Sequence, residues 1–216
     1  MPVKLNSSGG GSVTLTTPST AIDYTATFPA NTGNVVTDSA TQTLTNKTLN
    51  GAVMTAMASS VLTPGTAQAS TSGTSIDFTG IPSWVRRVTV MLSGVSTNGT
   101  SILMVQLGSG SFVTTGYLAA GSGVATTVNT ATSTAGFIFG NTNRAADTSN
   151  GALVLTNISG TTWVGIGSVY LATSTPQTNF AAGTSPALSG ALDRVRVTTV
   201  GGTDTFDAGS INIMYE

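Results

Sequence analysis

The sequence predicts an all-β protein: an antiparallel β-sandwich or jelly-roll-like domain preceded by an extended N-terminal β arm. Three observations carry that expectation. The chain holds 41 Thr and 25 Ser among 216 residues, and β-branched Thr alongside Val and Ile suits a pleated, half-exposed surface. No segment offers a convincing amphipathic helix; Val53 to Leu62 comes nearest, and its Ser, Thr and Ala content makes it weak. Apolar and polar residues instead alternate with period two, as where Val88, Val90 and Leu92 interleave with Thr89, Met91 and Ser93, the pattern of a strand with one buried face.

Residues 1–50 read as the arm. After Gly9, Gly10 and Gly11, the pieces Ser12 to Thr16 and Tyr24 to Phe28 are strand-like, and Pro18 and Pro29 close them. Val13 alternates with Leu15, and Tyr24 with Ala26 and Phe28. Two strands of this length do not make a stable isolated unit in water, so they are expected to add to another sheet or to copies of themselves. Residues 51–72 have the composition of a linker, with a Pro64-Gly65 turn signal. The small and methyl-bearing side chains from Gly51 to Leu62 equally suit a close three-chain stalk, and the two readings stay open.

From 73 to 216 strands are expected near 75–79, 85–95, 101–107, 135–140, 151–158, 161–171, 192–200 and 209–215, the spacing of a sandwich or jelly roll. Pro82 has no N–H for a ladder, so pairing should restart after it. Asn98-Gly99 is favoured chemistry for a tight hairpin, which would join the strands on either side of it as one antiparallel pair. Gly160 marks a second hairpin. Gly165 and Gly167 lie on one face of a strand, where they either bulge or admit something bulky, a core residue or a neighbouring subunit. Val195 and Val197 should point inward while Arg194 and Arg196 point out. Ile211, Ile213 and Tyr215 make a last strand.

Composition excludes several functions. Asp, Glu, Lys and Arg make up 7% of the chain and the formal net charge is −1, which leaves no basic cluster to displace counterions from nucleic acid. No apolar run reaches the roughly 18 residues of a membrane span, and the N-terminus lacks the apolar core of a signal peptide. With no Cys and no His, disulfides, thiol nucleophiles, a Ser-His-Asp triad and histidine metal sites are ruled out. Asp204 and Asp207 are close in sequence, but a Gly-rich turn is a poor place to raise a carboxyl pKa as glycoside hydrolysis requires; an Asx-type turn is the simpler reading. No glycine run meets a phosphate-loop pattern. No enzyme activity and no cofactor are therefore expected. Trp84 and Trp163 read as core or interface anchors. The most polar loop, Asn141 to Asn150, is an ordinary surface loop or, through Asn141, Asn143, Arg144 and Asp147, an exposed recognition loop.

Four segments resemble those of tailed-bacteriophage virion proteins, the fibres and surface decorations: LNSSGGGSVTL (Leu5 to Leu15), TQTLTNKTL (Thr41 to Leu49), GIPSWVRRVTVMLSGVSTNGTS (Gly80 to Ser101) and FDAGSINIMYE (Phe206 to Glu216). They bracket nearly the whole chain. The resemblance implies a homotrimeric, non-enzymatic, all-β virion component on the particle surface, with 1–50 as the attachment region and 73–216 as the outer domain. Val13, Leu15, Tyr24, Phe28, Leu44 and Leu49 are then candidate contacts to a subunit or to the virion. The expected function is a trimeric capsid decoration of cement or head-fibre type, bound to the major capsid protein or another virion structural protein. The alternative is a tail-fibre module that recognises a host surface glycan.

Overall fold

The computed structural model describes residues 3–6, 8–10, 12–15, 62–141, 143–145, 147–172 and 176–216. They belong to two compact units, Met1–Val53 and Met54–Glu216. In the first, β1 (Val3–Asn6) pairs antiparallel with β2 (Ser12–Leu15), setting Leu5 opposite Val13 and Val3 opposite Leu15. Gly10, at φ 84°, takes the left-handed conformation that the connecting turn needs. Val13 and Leu15 thus sit on a four-residue strand, while Tyr24, Phe28, Leu44 and Leu49 lie outside the described residues.

The second unit is all-β. In chain order its strands are β3 (Thr63–Pro64), β4 (Gln68–Ala69), β5 (Ser75–Thr79), β6 (Arg87–Thr97), β7 (Leu103–Ser109), β8 (Ser111–Phe112), β9 (Leu118–Val124), β10 (Val128–Ser133), β11 (Phe137–Ile138), β12 (Thr148–Ser159), β13 (Thr162–Ala172), β14 (Gln177–Thr184), β15 (Arg194–Thr199) and β16 (Phe206–Tyr215). The large sheet runs β10-β9-β14-β13-β12-β6-β16-β3, with β4 also on β16; the small one runs β11-β7-β15-β5, with β8 on β7. All pairings are antiparallel.

Eight of these elements trace a jelly roll. With β3 and β4 counted as one edge, the large sheet contributes β3/β4-β16-β6-β12 and the small sheet β5-β15-β7-β11, and the chain passes back and forth between them. Two insertions, the β9–β10 hairpin after β7 and the β13–β14 hairpin after β12, extend the large sheet beyond this frame. The core lies between the sheets: Val88, Val90, Leu153, Leu155 and Ile211 from one meet Val105, Leu107, Val195 and Val197 from the other, and all are inaccessible to solvent. Arg194 and Arg196 point outward as their alternation requires. Arg196 forms a two-pronged ion pair with Asp77 at 2.7 Å, and its guanidinium lies 4.0 Å from the centre of the Phe112 ring.

Two expectations change. The β6 and β7 strands flank Asn98-Gly99 but enter different sheets, so that segment is a crossover between layers and not a hairpin. Its geometry is set by the neighbouring loop: Asn98 N–H donates to Thr205 O at 2.9 Å, Thr205 N–H donates to Asn98 Oδ1 at 2.9 Å, and Ser101 N–H donates to an Asp204 carboxylate oxygen at 2.8 Å. The sandwich also begins at β3, before residue 73, because β3 and β4 within the expected linker are already paired with β16. Seven of the eight strands expected from 73 onward fall close to their expected places, the one at 135–140 is a strand only over Phe137–Ile138, and β9, β10 and β14 were not anticipated. Gly160 (φ 53°) turns the β12–β13 hairpin, and Val85 N–H closes the Pro82 corner at 3.1 Å.

Residues 136–140 are buried throughout and cover the inner surface of the extension. Gly165 admits the Phe137 ring: a Cβ there would come within 2.8 Å of a ring carbon. Of the alternating glycines of β13, Gly165 thus accommodates a bulky core residue, while Gly167 lies against the backbone of Ala152 and Leu153 on β12. At Gly121 the obstacle is backbone, since a Cβ would lie 2.7 Å from the Ile138 carbonyl oxygen and closer still to Gly140. Gly121→Ala should therefore lower unfolding free energy by about 1–3 kcal/mol, the usual cost of overpacking a site that cannot relax. Urea denaturation followed by tryptophan fluorescence checks this; an unchanged midpoint would show that the two backbones are not held together.

Candidate interaction face

Register determines which side chains share the outer surface of the large sheet, since directly paired residues point the same way. On β13, Ile166, Ser168 and Tyr170 stand opposite Ala182, Phe180 and Thr178 of β14. Those in turn stand opposite Ala120, Ser122 and Val124 of β9, with Leu118 opposite Thr184 and Val128 of β10 opposite Val124. The surface continues through Val154 of β12 to Thr89 of β6 and Met214 of β16.

Leu118, Val124, Val128, Ile166, Tyr170 and Phe180 are all exposed there, Leu118 at 76% and Ile166 at 70%. Single exposed apolar residues are ordinary, but a contiguous set on one flat sheet marks an interaction surface. Leu118, Ala120, Thr132 and Ala182 line a depression of about 420 Å³ on it.

The face is also uncharged. No Asp, Glu, Lys or Arg occurs between Arg87 and Arg144 or between Asp147 and Asp193, so β9, β10, β12, β13 and β14 carry none. Charge is gathered elsewhere: Arg196–Asp77 and Arg194–Asp193 at the small sheet, and Arg87–Glu216 at the rim of the large one. The β10 edge strand has neither a charge nor a proline, the devices by which sheet edges are ordinarily protected.

The anticipated recognition loop is organised differently. Asn143 and Asp147 are buried, which corrects their expected exposure. The Asn143 side-chain amide donates to Thr97 Oγ1 at 3.3 Å and to Ser101 O at 3.2 Å, tying the loop to the β6–β7 crossover. Asn141 is half-buried and Arg144 exposed, so of the four only these two reach the surface. Burial raises the Asp147 carboxyl above its ordinary pKa, opposed by the charge of Arg144. Asp204 serves the crossover described above. Trp163 is a core residue, whereas Trp84 is half exposed and tilts against Tyr215 at 6.0 Å. Among the described residues no three of His, Cys, Asp and Glu are grouped to hold a metal ion.

A carboxyl whose pKa is raised by folding holds its proton more tightly folded than unfolded. Its ionisation opposes folding, so the associated stability is present at low pH and is lost as pH rises through and above the ordinary carboxylate range. Asp147→Asn should accordingly melt at or above the wild-type temperature at pH 7, and the difference should shrink below about pH 4. Thermal melts across that range test it; a large loss at neutral pH would mean that the Arg144 interaction outweighs burial.

Comparison with protein-family models, curated proteins and solved structures finds no match, so the function of this chain is read from its own residues and geometry.

Proposed function

We propose that this chain is a structural component of a tailed-bacteriophage particle: a trimeric capsid decoration protein, of cement or head-fibre type, attached through its N-terminal arm. One arrangement supports this reading above others. A short β1–β2 hairpin, with too little sheet to be stable by itself, belongs to a unit separate from a jelly roll that has a complete core. That division suits a chain that docks with one part and displays the other. The four segments resembling phage fibres and decorations span both parts, and jelly rolls are a recurrent architecture of capsid and lectin domains. The docking partner is then the major capsid protein or another virion structural protein.

The exposed Tyr170 and Phe180 among hydroxyl-bearing neighbours favour a second reading, a tail-fibre module that stacks host glycans on its sheet. Copy number and binding separate the two. Hundreds of copies per particle without host binding accord with decoration; a few to some tens of copies with host binding accord with a fibre.

Deleting residues 1–50 should leave the jelly roll folded and unable to join particles. Cryo-electron microscopy of particles assembled with full-length and truncated protein reads occupancy and location together; normal occupancy by the truncated protein would place attachment in the jelly roll. Limited trypsinolysis adds an independent readout: Lys4 and Lys47 should be cut in the isolated protein and protected on the particle. Equal cutting in both would remove the arm as anchor.

A further inference from the structure

We propose that the outer face of the large sheet is the surface through which copies of this chain associate. The inference rests on the trimeric reading above and names the part of the jelly roll that makes the contact. The occupant is a second copy, and three observations select it.

The first is charge. From β10 across to β12 the face holds no Asp, Glu, Lys or Arg, so a partner with a charged surface would lose hydration there and gain no counter-charge. A second copy brings an equally uncharged extension: neither side must desolvate an ion, and no like charges are opposed. Among the described residues the ion pair bordering the surface, Arg87–Glu216, lies at its rim, where interfaces are ordinarily polar.

The second is chemistry. Leu118, Val128 and Ile166 are the most exposed large apolar residues in the described structure. None of them hydrogen-bonds a sugar, and the side chains around them offer hydroxyls without a carboxylate. Dehydrated packing against protein uses these residues, whereas glycan recognition leaves them idle.

The third is extent. The five uncharged strands from β10 to β12, spaced about 4.8 Å apart and some seven residues long, present a projected area of about 550 Å², which β6 and β16 widen to about 700 Å², close to the roughly 800 Å² that each partner contributes to a stable protein interface. In a ring of three the contact joins unlike patches. The face of one copy therefore meets a different part of the next copy's uncharged extension, which includes the β10 edge.

The test uses the full-length chain. Light scattering at micromolar concentration should give a three-chain mass for the wild type and for Val200→Glu, which places a charge on an exposed turn away from this face. Ile166→Glu with Phe180→Glu, and separately Leu118→Glu with Val128→Glu, should yield single chains with wild-type far-ultraviolet circular dichroism. The milder pair Ile166→Thr and Phe180→Thr, which retains strand propensity, should raise the concentration of half-assembly by about tenfold or more. Folded variants that keep the three-chain mass would overturn this assignment and leave the trimeric reading intact. A single-chain mass for the wild type would overturn both.

Discussion

The close approach of residues 136–140 to the inner surface of the large sheet is the contact on which the width of the domain depends. The two hairpin insertions carry that sheet past the limit of the small one, and an uncovered inner surface there would be as costly as an open core. Stacked sheets ordinarily stand about 10 Å apart because side chains fill the gap. Here backbone closes the gap at Gly121, which lies against Gly140 and Ile138, and the Phe137 ring fills it at Gly165. Tyr117 fixes the same segment from the side. Its hydroxyl oxygen accepts from Leu107 N–H at 2.8 Å, and its ring meets Phe137 edge-on at 5.4 Å. Burial pushes its pKa up to about 12, so the phenol stays neutral through the physiological range.

That mode of packing explains which strands were legible in the sequence. Where Val, Ile and Leu fill the core, as in β6, β12, β15 and β16, alternation of apolar and polar residues discloses both the strand and its buried face. The β9, β10 and β14 strands give no such signal. The buried positions of β9 and β14 are Ala119, Gly121, Gly123, Asn179 and Ala181, small or polar where Gly121 meets backbone, β10 has no buried position, and the outer positions mix apolar with hydroxyl residues. Hydrophobic periodicity measures side-chain burial, and a strand buried against glycine has little to measure. The Asn98-Gly99 signal failed for a related reason. A turn sequence specifies a local bend, while the sheet that the chain enters after the bend is decided by long-range pairing, here β7 with β15 and β6 with β16.

The candidate site was less legible than the fold. Polarity alone singled out Asn141 to Asp147, yet Asn143 and Asp147 are buried, and Asn143 pairs with the crossover loop. A polar side chain in a loop is as readily used to pair buried backbone as to meet a ligand. The outer face of the large sheet, in contrast, is assembled from β9 and the β13–β14 hairpin, which are far apart in sequence, and only the register brings Leu118 together with Ile166 and Phe180. One trace of it was visible beforehand: the long intervals without any charged residue coincide with the strands that build the face.

Those intervals bear on how such a chain stays in solution. The ion pairs among the described residues are partly solvated, and such pairs add little to stability, so their placement matters more than their strength. Confined to the small sheet, the rim and the loops, they leave the extension to be solvated by Ser and Thr hydroxyls and a few amides such as Asn129. Hydroxyls hydrate a sheet without repelling a neighbour, and a net charge of −1 supplies almost no long-range repulsion between copies. An uncharged face ending in an unprotected edge is a hazard for a chain that remains separate. The same features cost nothing once the surface is covered, and they then remove the desolvation penalty that charged residues would impose on assembly. Sparse charge, hydroxyl-rich strands and a bare edge are consistent with one another in a protein that spends its working life packed against others.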